Sequence, residues 1–248
     1  MQERVEAALS VVANHPLQVH CAGRTDGGVH AWQQVIHFDT TAERTPRAWV
    51  LGGNVLLPED VSFTWAKSVE SEFHARYSAT GRTYQYLILN RRSRPGTWSG
   101  MMAWECRPLD CERMAAASPD LVGEHDYSSF RAADCQAKSA VREVRRLEVS
   151  RDGDLVWFEI EANAFLQHMV RNIVGVLTAI GLGKRPVKWA AEVLAQRDRT
   201  LGGVTASAEG LYLADVAYPE RFGIPGPAWL NRRGGRLSVA PWMPPDAE

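Results

Sequence analysis

The residues most suited to chemistry in this sequence lie in a short polar loop that contains one carboxylate. Residues 23–30 place Asp26 between Arg24 and two glycines. The glycines predict a sharp bend or a close approach of the backbone to a ligand, and Arg24 lies near enough to Asp26 to share one site. An aspartate in a glycine-rich turn also commonly caps its own backbone, and composition alone favours that structural role. The loop lacks the order of a dinucleotide site or P-loop, so phosphate binding is not indicated.

A predicted helix supplies a candidate cation. Apolar residues recur at intervals of three and four through residues 165–182, which predicts a helix with one apolar face, ended by Gly183 in a left-handed cap. His168, Arg171 and Gly175 fall on another face, so a polar group there would project beside the apolar stripe. Arg171 is either an ordinary exposed arginine or a partner for a carboxylate, and its partly enclosing neighbours favour the second interpretation.

The strand predicted at residues 83–89 carries Tyr84 and Tyr86 on the same side. On the pattern alone, either tyrosine could fill the core of a sheet. Leu211, at the start of the strand predicted at residues 211–217, is on its own most simply a core residue.

A fold of mixed type must position these residues. Strands and hairpins are interspersed with helices without a regular βαβ rhythm, which predicts an α+β protein with a largely antiparallel sheet. Residues 91–100 predict a boundary between an N-terminal domain of residues 1–97 and a C-terminal domain of residues 98–222, and residues 223–248 predict a flexible tail. The other predicted helices span residues 3–13, 46–57, 111–121 and 188–196, and the other predicted strands span residues 18–22, 33–38, 61–69, 141–150 and 155–162.

The composition narrows the class of protein. The chain has 248 residues, of which 45% are hydrophobic and 23% charged, as in a globular protein. The apolar stretches are too short or too interrupted to cross a bilayer, and the first residues do not resemble a secretory signal, so a cytoplasmic location is predicted. The four cysteines form no CxxC pair and the seven histidines form no HExxH pattern, so no metal site is expected.

Charge is distributed unevenly along the chain. The formal net charge is only −1, which argues against a surface that is basic throughout. Arginines nevertheless cluster at residues 91–94, 142–146 and 232–236. Any one cluster is most simply a solvated face, but several together favour a folded, phosphate-rich partner.

Five motifs resemble those of the tRNA pseudouridine synthase A family and follow one another in that family's order. Residues 22–31, AGRTDGGVHA, resemble the loop that holds the family's catalytic aspartate. Five motifs in the right order make an accidental similarity improbable. The other four are RTYQY at residues 82–86, HDYSSFR at residues 125–131, FLQHMVRN at residues 165–172 and AEGLYL at residues 208–213.

This resemblance implies the pseudouridine synthase fold, in which two α/β domains share a mostly antiparallel sheet flanked by helices, with the active-site cleft between them. It implies an enzyme that isomerises uridine to pseudouridine in the anticodon stem-loop of tRNA, at positions 38, 39 and 40 of the tRNA. Because the reaction neither oxidises nor hydrolyses anything, no cofactor is expected, only an ionised carboxylate at the sugar–base junction. The expected partner is tRNA and the expected assembly is a homodimer, with neither DNA nor a membrane as a partner.

The resemblance also implies a role for each residue that matches a functional position of the family. Asp26 is implied as the catalytic carboxylate, and Arg171 as the cation that keeps it ionised in a pocket that excludes water. Tyr84 is implied to stack on a flipped-out uracil and to help remove the proton from C5. Leu211 is implied as a wall of the uracil pocket, and Arg24 as the residue that replaces or braces the displaced nucleotide. If the pair of Asp26 and Arg171 is buried, its loss should cost roughly 3–5 kcal/mol.

Several alternatives remain open from the sequence. Asp26 could act by addition at uracil C6, by attack at C1′ or by abstraction of a proton at C2′. A noncatalytic tRNA-binding module would explain the arginines but not the co-occurrence of Asp26, Tyr84 and Arg171. A phosphoryl-transfer enzyme would need further carboxylates beside Asp26 to hold Mg²⁺, and none accompany it in its loop.

The first residues depart from the family's pattern. Members normally begin with an additional strand and a Gly-Trp-Gln segment ahead of the helix that starts here near Gln2. Because a sheet that lacks a strand exposes unpaired backbone groups, we expect either a misassigned start or a truncated chain of low stability.

Overall fold

The computed structural model describes residues 1–226, and most of the predicted tail, residues 227–248, lies outside the described residues. The helices and strands of the described part are, in chain order, α1 Gln2–Ala13, β1 His20–Cys21, β2 His30–Ala31, β3 Ile36–His37, α2 Pro46–Leu56, β4 Gly81–Asn90, β5 Ala103–Glu105, α3 Cys111–Ala117, β6 Gly123–Asp126, β7 Val141–Asp152, β8 Leu155–Ala162, α4 Met169–Gly181, α5 Trp189–Gln196 and β9 Leu211–Ala217.

Most predicted elements are confirmed in place and type, but the strand predicted at residues 61–69 is wrong. The side chain of Asn54 in α2 donates to the Phe63 carbonyl at 2.9 Å and accepts from the Phe63 N–H at 2.6 Å. Both backbone groups of Phe63 are therefore bonded to a helix side chain instead of a neighbouring strand. The helix predicted at residues 111–121 ends at Ala117 and continues as a 3₁₀ turn, Ser118–Leu121.

The contacts within the chain divide it into two compact units, and this division differs from the predicted boundary near residue 97, which stays a prediction. The first unit consists of Met1–Arg24, Gln34–Ala79 and Tyr218–Ile224, and the second consists of Thr25–Gln33, Thr80–Ala217 and the segment that begins at Pro225.

The first unit packs two helices beside a two-stranded antiparallel sheet of β1 and β3. Helix α2 begins where the Thr45 side chain accepts from the Ala48 N–H and Pro46 occupies the first turn, both favourable at a helix start. Leu9 of α1 and Trp49 of α2 share one buried apolar cluster. Burying a side chain of this size stabilises a fold by about 1.5–3 kcal/mol.

Three histidine rings contact one another in the first unit. The ring of His37 lies 5.0 Å from that of His20 and 4.5 Å from that of His74, measured between centroids. The Ala75 N–H donates to Nδ1 of His37 at 3.1 Å, which requires that nitrogen to be unprotonated. Burial, followed by the neighbouring His74 and His20, lowers the pKa of His37, while Asp39 opposes that shift.

The protein should therefore lose stability on mild acidification. Because the folded-state pKa of His37 lies below its ordinary value of about 6.5, the unfolded chain takes up the proton first. The free energy of unfolding is then highest above that ordinary value and falls as the pH drops below it. We expect the melting temperature to fall between pH 7.5 and 5.5 and the fall to be smaller in His37→Asn, whose Oδ1 can still accept from Ala75. Equal pH dependence in the two proteins would contradict this role.

The second unit is built on a seven-stranded, mostly antiparallel sheet in the order β2-β9-β4-β8-β7-β6, with β5 paired to β4. Among the strands of residues 1–226 in this sheet, the pairs β2–β9 and β4–β5 are parallel and the others are antiparallel. The hairpin of β7 and β8 turns at Gly153, whose φ of +54° suits a residue without a side chain. Helices beside such a sheet confirm the predicted α+β class.

One face of this sheet and the helices enclose a large apolar core. Phe158 and Ile160 from β8 pack in the same buried cluster as Met169, Ile173 and Leu177 from α4. This packing fixes α4 against the sheet and so fixes the residues at its first turn. Within residues 1–226, no helix is long and apolar enough to span a membrane.

Candidate active site

The loop that contains Asp26 is anchored at its C-terminal end, where β2 pairs with the sheet of the second unit. The Asp26 carbonyl accepts from the Val29 N–H at 3.1 Å and closes a turn, in which Gly28 has a φ of +81°. Immediately afterwards β2 pairs in parallel with β9, so that His30 lies opposite Tyr212. The His30 ring also stacks on Tyr212 with centroids 4.7 Å apart. Asp26 thus lies in a short turn that β2 anchors to the mostly buried strand β9.

The helix predicted at residues 165–182 begins only at Met169, because His168 has a left-handed backbone with a φ of 61°. Such a conformation is uncommon for a residue other than glycine and costs about 1–3 kcal/mol. The chain is held on both sides of it. The Gln167 carbonyl accepts from the Ala132 N–H at 2.9 Å, and the His168 carbonyl accepts from the Asn172 N–H at 2.9 Å. The predicted left-handed residue after the helix, Gly183, is confirmed with a φ of 70°.

The Arg171 side chain is oriented by the loop that precedes β9. Its Nε donates to the Ala206 carbonyl at 2.8 Å, and the Ala206 N–H donates back to the Arg171 carbonyl at 3.1 Å. This loop can lie close to α4 because residue 175 is glycine. A Cβ there would stand 1.9 Å from the Val204 carbonyl oxygen. Gly175 therefore helps to position the Arg171 side chain, because it allows this loop to approach α4.

The structure brings Asp26, His168 and Arg171 together. Nε2 of His168 lies 3.0 Å from Oδ2 of Asp26, and one terminal nitrogen of Arg171 lies 3.5 Å from the same oxygen. The Asp26 side chain is 41% exposed and that of Arg171 only 16%. Because Asp26 is exposed, the pair is not the buried one to which the cost of roughly 3–5 kcal/mol applies, and its loss should cost less than that.

The aromatic candidates differ in their surroundings. Tyr84 is half-buried, and its ring meets that of Phe165 edge to face with centroids 5.0 Å apart. Tyr86 is buried, its hydroxyl donates to the Ser207 carbonyl at 2.8 Å, and burial raises its pKa. Tyr86 is therefore a core residue. Leu211 is buried in the large apolar core, opposite Tyr86 in the sheet.

The arginines predicted to face a phosphate-rich partner have varied environments. Arg24 is exposed and belongs to the first unit, and its role stays a prediction. The cluster at residues 142–146 is mainly engaged within the protein, where Arg145 pairs with Glu143 at 3.1 Å and Arg146 pairs with the buried Glu159. Residues 91–94 are exposed. The cluster at residues 232–236 lies outside the described residues.

Asp26, His168 and Arg171 form a group in which one carboxylate is available for chemistry. Asp26 is reachable from solvent, and a nitrogen donor and a guanidinium lie beside one of its oxygens. Such a carboxylate can act as a nucleophile or as a base. In the described part of the chain, no three His, Cys, Asp or Glu residues are grouped so that they could hold a metal ion.

Comparison with known proteins decides the family. A family model described as tRNA pseudouridine synthase matches residues 117–219. A protein named tRNA pseudouridine synthase A from Coxiella burnetii (strain Dugway 5J108-111) is 53% identical over 234 residues, which are 93% of this chain and 90% of that protein. The chain belongs to the tRNA pseudouridine synthase A family. Relatives of the same name from Tolumonas auensis and Nitrosococcus oceani are 50% and 55% identical and cover 93% and 91% of this chain, and 90% and 87% of their own lengths.

Membership of the tRNA pseudouridine synthase A family makes this chain an enzyme, and the group around Asp26 is its candidate catalytic centre. His168 was absent from the site residues predicted from the sequence. Its spacing of three from Arg171 was the available signal, since such residues are neighbours on a helix. That signal indicated a shared face but not a contact with Asp26, because His168 precedes the helix.

Proposed function

We propose that this enzyme isomerises uridine to pseudouridine in the anticodon stem-loop of tRNA, at positions 38, 39 and 40, with Asp26 as its catalytic carboxylate. The observation that carries the proposal is the contact of His168 and Arg171 with a single oxygen of Asp26. A carboxylate held in this way is oriented while its other oxygen stays available. Family membership supports the reaction class, and the resemblance of the loop at residues 22–31 together with the contacts at Asp26 supports the choice of Asp26.

The reaction exchanges one glycosidic bond for another. The bond between N1 and C1′ breaks, the freed uracil turns, and a bond forms between C5 and C1′. The proton leaves C5, N1 gains one, and the formula of the nucleotide is unchanged. Asp26 can serve this sequence by addition at C6, by attack at C1′ or by removal of a proton at C2′, and each route uses one ionised oxygen.

The target uridine must leave the RNA stack before Asp26 can reach it. We propose that Tyr84 receives the flipped uracil, since its ring is half-buried and braced edge to face by Phe165. Leu211 would form an apolar wall of that pocket, and Arg24 would replace or brace the displaced nucleotide. These three roles follow from the family resemblance, and burial of Leu211 agrees equally with a purely structural role.

Tyr84→Phe should separate stacking from proton transfer. The variant keeps the ring, and base–aromatic stacking contributes about 1–3 kcal/mol per base, so affinity for tRNA should change little. If the hydroxyl helps to remove the C5 proton, turnover should fall by about 10²-fold. Single-turnover rates and filter binding measure the two quantities, with the exposed Tyr77→Phe as a matched control. Full turnover in Tyr84→Phe would exclude the hydroxyl from proton removal.

Release of tritium from tRNA labelled at uracil C5 tests the proposed reaction. The enzyme should liberate tritium in step with pseudouridine formation, because the C5 proton is lost when the new bond forms. A noncatalytic tRNA-binding module or a phosphoryl-transfer enzyme would liberate none. Neither alternative explains why Asp26, His168 and Arg171 converge.

We also propose that the enzyme is a cytoplasmic homodimer whose nucleic-acid partner is tRNA, with neither DNA nor a membrane as a partner. Exposed apolar side chains on α2 support self-association, since Leu51 is 53% exposed and Val55 is 84% exposed one turn later. Sedimentation at micromolar concentration should give the mass of two chains, and a single-chain mass would remove this part of the proposal.

A further inference from the structure

We infer that His168 is a positioning residue for the reaction, that its Nε2–H holds Oδ2 of Asp26, and that Oδ1 of Asp26 is thereby the oxygen that acts on the uridine. This inference rests on the proposed function of Asp26. It assigns separate tasks to the two oxygens of one carboxylate, and it assigns a role to a left-handed residue whose side chain does not cap the helix that follows.

The two contacts at Asp26 converge on one atom. His168 lies 3.0 Å from Oδ2 and Arg171 lies 3.5 Å from it, so the histidine is the nearer partner. Within residues 1–226, Oδ1 has no hydrogen bond or ion pair. A carboxylate fixed through one oxygen can turn little about its side-chain torsions, and its second oxygen is held in a defined place.

The contact from His168 is the shorter of the two contacts at Oδ2. A neutral imidazole donates from one nitrogen only, and a carboxylate partner selects the form with the proton on Nε2. Arg171 alone would leave the carboxylate less constrained, because its Nε is committed to the Ala206 carbonyl and its contact with Asp26 is long. The shorter contact from His168 restrains the Asp26 carboxylate from a second side.

The left-handed backbone at His168 is the second observation. A φ of 61° at the residue before α4 would suit Gly or Asn, which adopt it at lower cost. Its side chain makes no capping hydrogen bond to the helix that follows. Because His168 adopts a costly conformation and its side chain does not cap the helix, the conformation is best accounted for by the direction that it gives to the ring.

Two substitutions separate the ring's hydrogen bond from the backbone conformation. In His168→Asn the backbone is well tolerated, but the amide reaches only the position of Nδ1. In His168→Gln the amide nitrogen can occupy the position of Nε2 and donate to Asp26, although Gln suits a left-handed backbone less well. A positioning role predicts that the Asn variant is the slower, whereas a purely structural role predicts that the Gln variant is the more impaired.

The experiment measures kcat and KM by tritium release, together with melting temperature, for the wild type and both variants. We expect kcat of His168→Asn to fall about 10- to 100-fold, with KM and melting temperature nearly unchanged, and kcat of His168→Gln to stay within about threefold of the wild type. A ratio of the two variants near one, or a slower Gln variant, overturns the inference while wild-type release still supports the proposed function. No release by the wild type overturns both.

Discussion

Asp26→Asn should abolish pseudouridine formation and leave tRNA binding intact. Asn keeps the size of the side chain and can still accept a hydrogen bond from His168 or Arg171, but it removes the charge and nucleophilicity of the carboxylate. The loss of a residue central to catalysis costs at least about 10³-fold in turnover. Single-turnover tritium release and filter binding to the same tRNA measure the two effects.

Asp60→Asn is a matched control for this substitution. Asp60 is exposed, and its substitution changes the net charge by the same amount as that of Asp26. The control should keep wild-type turnover. Retained turnover in Asp26→Asn would remove Asp26 from its proposed role.

Arg171→Met is expected to produce the second large effect, mainly on turnover. The substitution removes the guanidinium beside Asp26 and the hydrogen bond to the Ala206 carbonyl. Removing one preorganised donor from a catalytic site costs about 10²-fold in turnover. Stability should fall by about 1–3 kcal/mol, since the main loss is one partly buried carbonyl left without its donor.

Rates and melting temperatures of Arg171→Met should be compared with those of Arg4→Met, an exposed arginine on α1. The control should match the wild type in both. If Arg171→Met also matched the wild type in both, Arg171 would be an ordinary helix arginine and Asp26 would depend on His168 alone.

Periodicity in the sequence predicts those elements whose burial is regular. Strand β8 follows from the alternation of Val156, Phe158 and Ile160, and α4 follows from its apolar stripe. The start of α4 does not follow, because the left-handed backbone at His168 is set by bonds to distant segments such as that at Ala132. The strand predicted at residues 61–69 fails for the same kind of reason, since the side chain of Asn54 bonds both backbone groups of Phe63.

Part of the candidate site can likewise be predicted from the sequence and part of it cannot. Asp26, Arg171 and Tyr84 can be predicted from motifs, because each is a residue of defined type at a defined spacing. The contact of His168 with Asp26 cannot be predicted, because it depends on a side-chain direction that the helical pattern does not give. The contact depends on both the turn that contains Asp26 and the left-handed residue that precedes α4.

Carbodiimide labelling followed by primer extension on an unmodified tRNA transcript tests the central claim most directly. After incubation with the wild-type enzyme, we predict reverse-transcription stops at uridines of positions 38, 39 and 40, and no such stops after incubation with Asp26→Asn. Stops of equal strength with both proteins, or no stops with the wild type, would contradict the assignment of Asp26 as the carboxylate that converts these uridines.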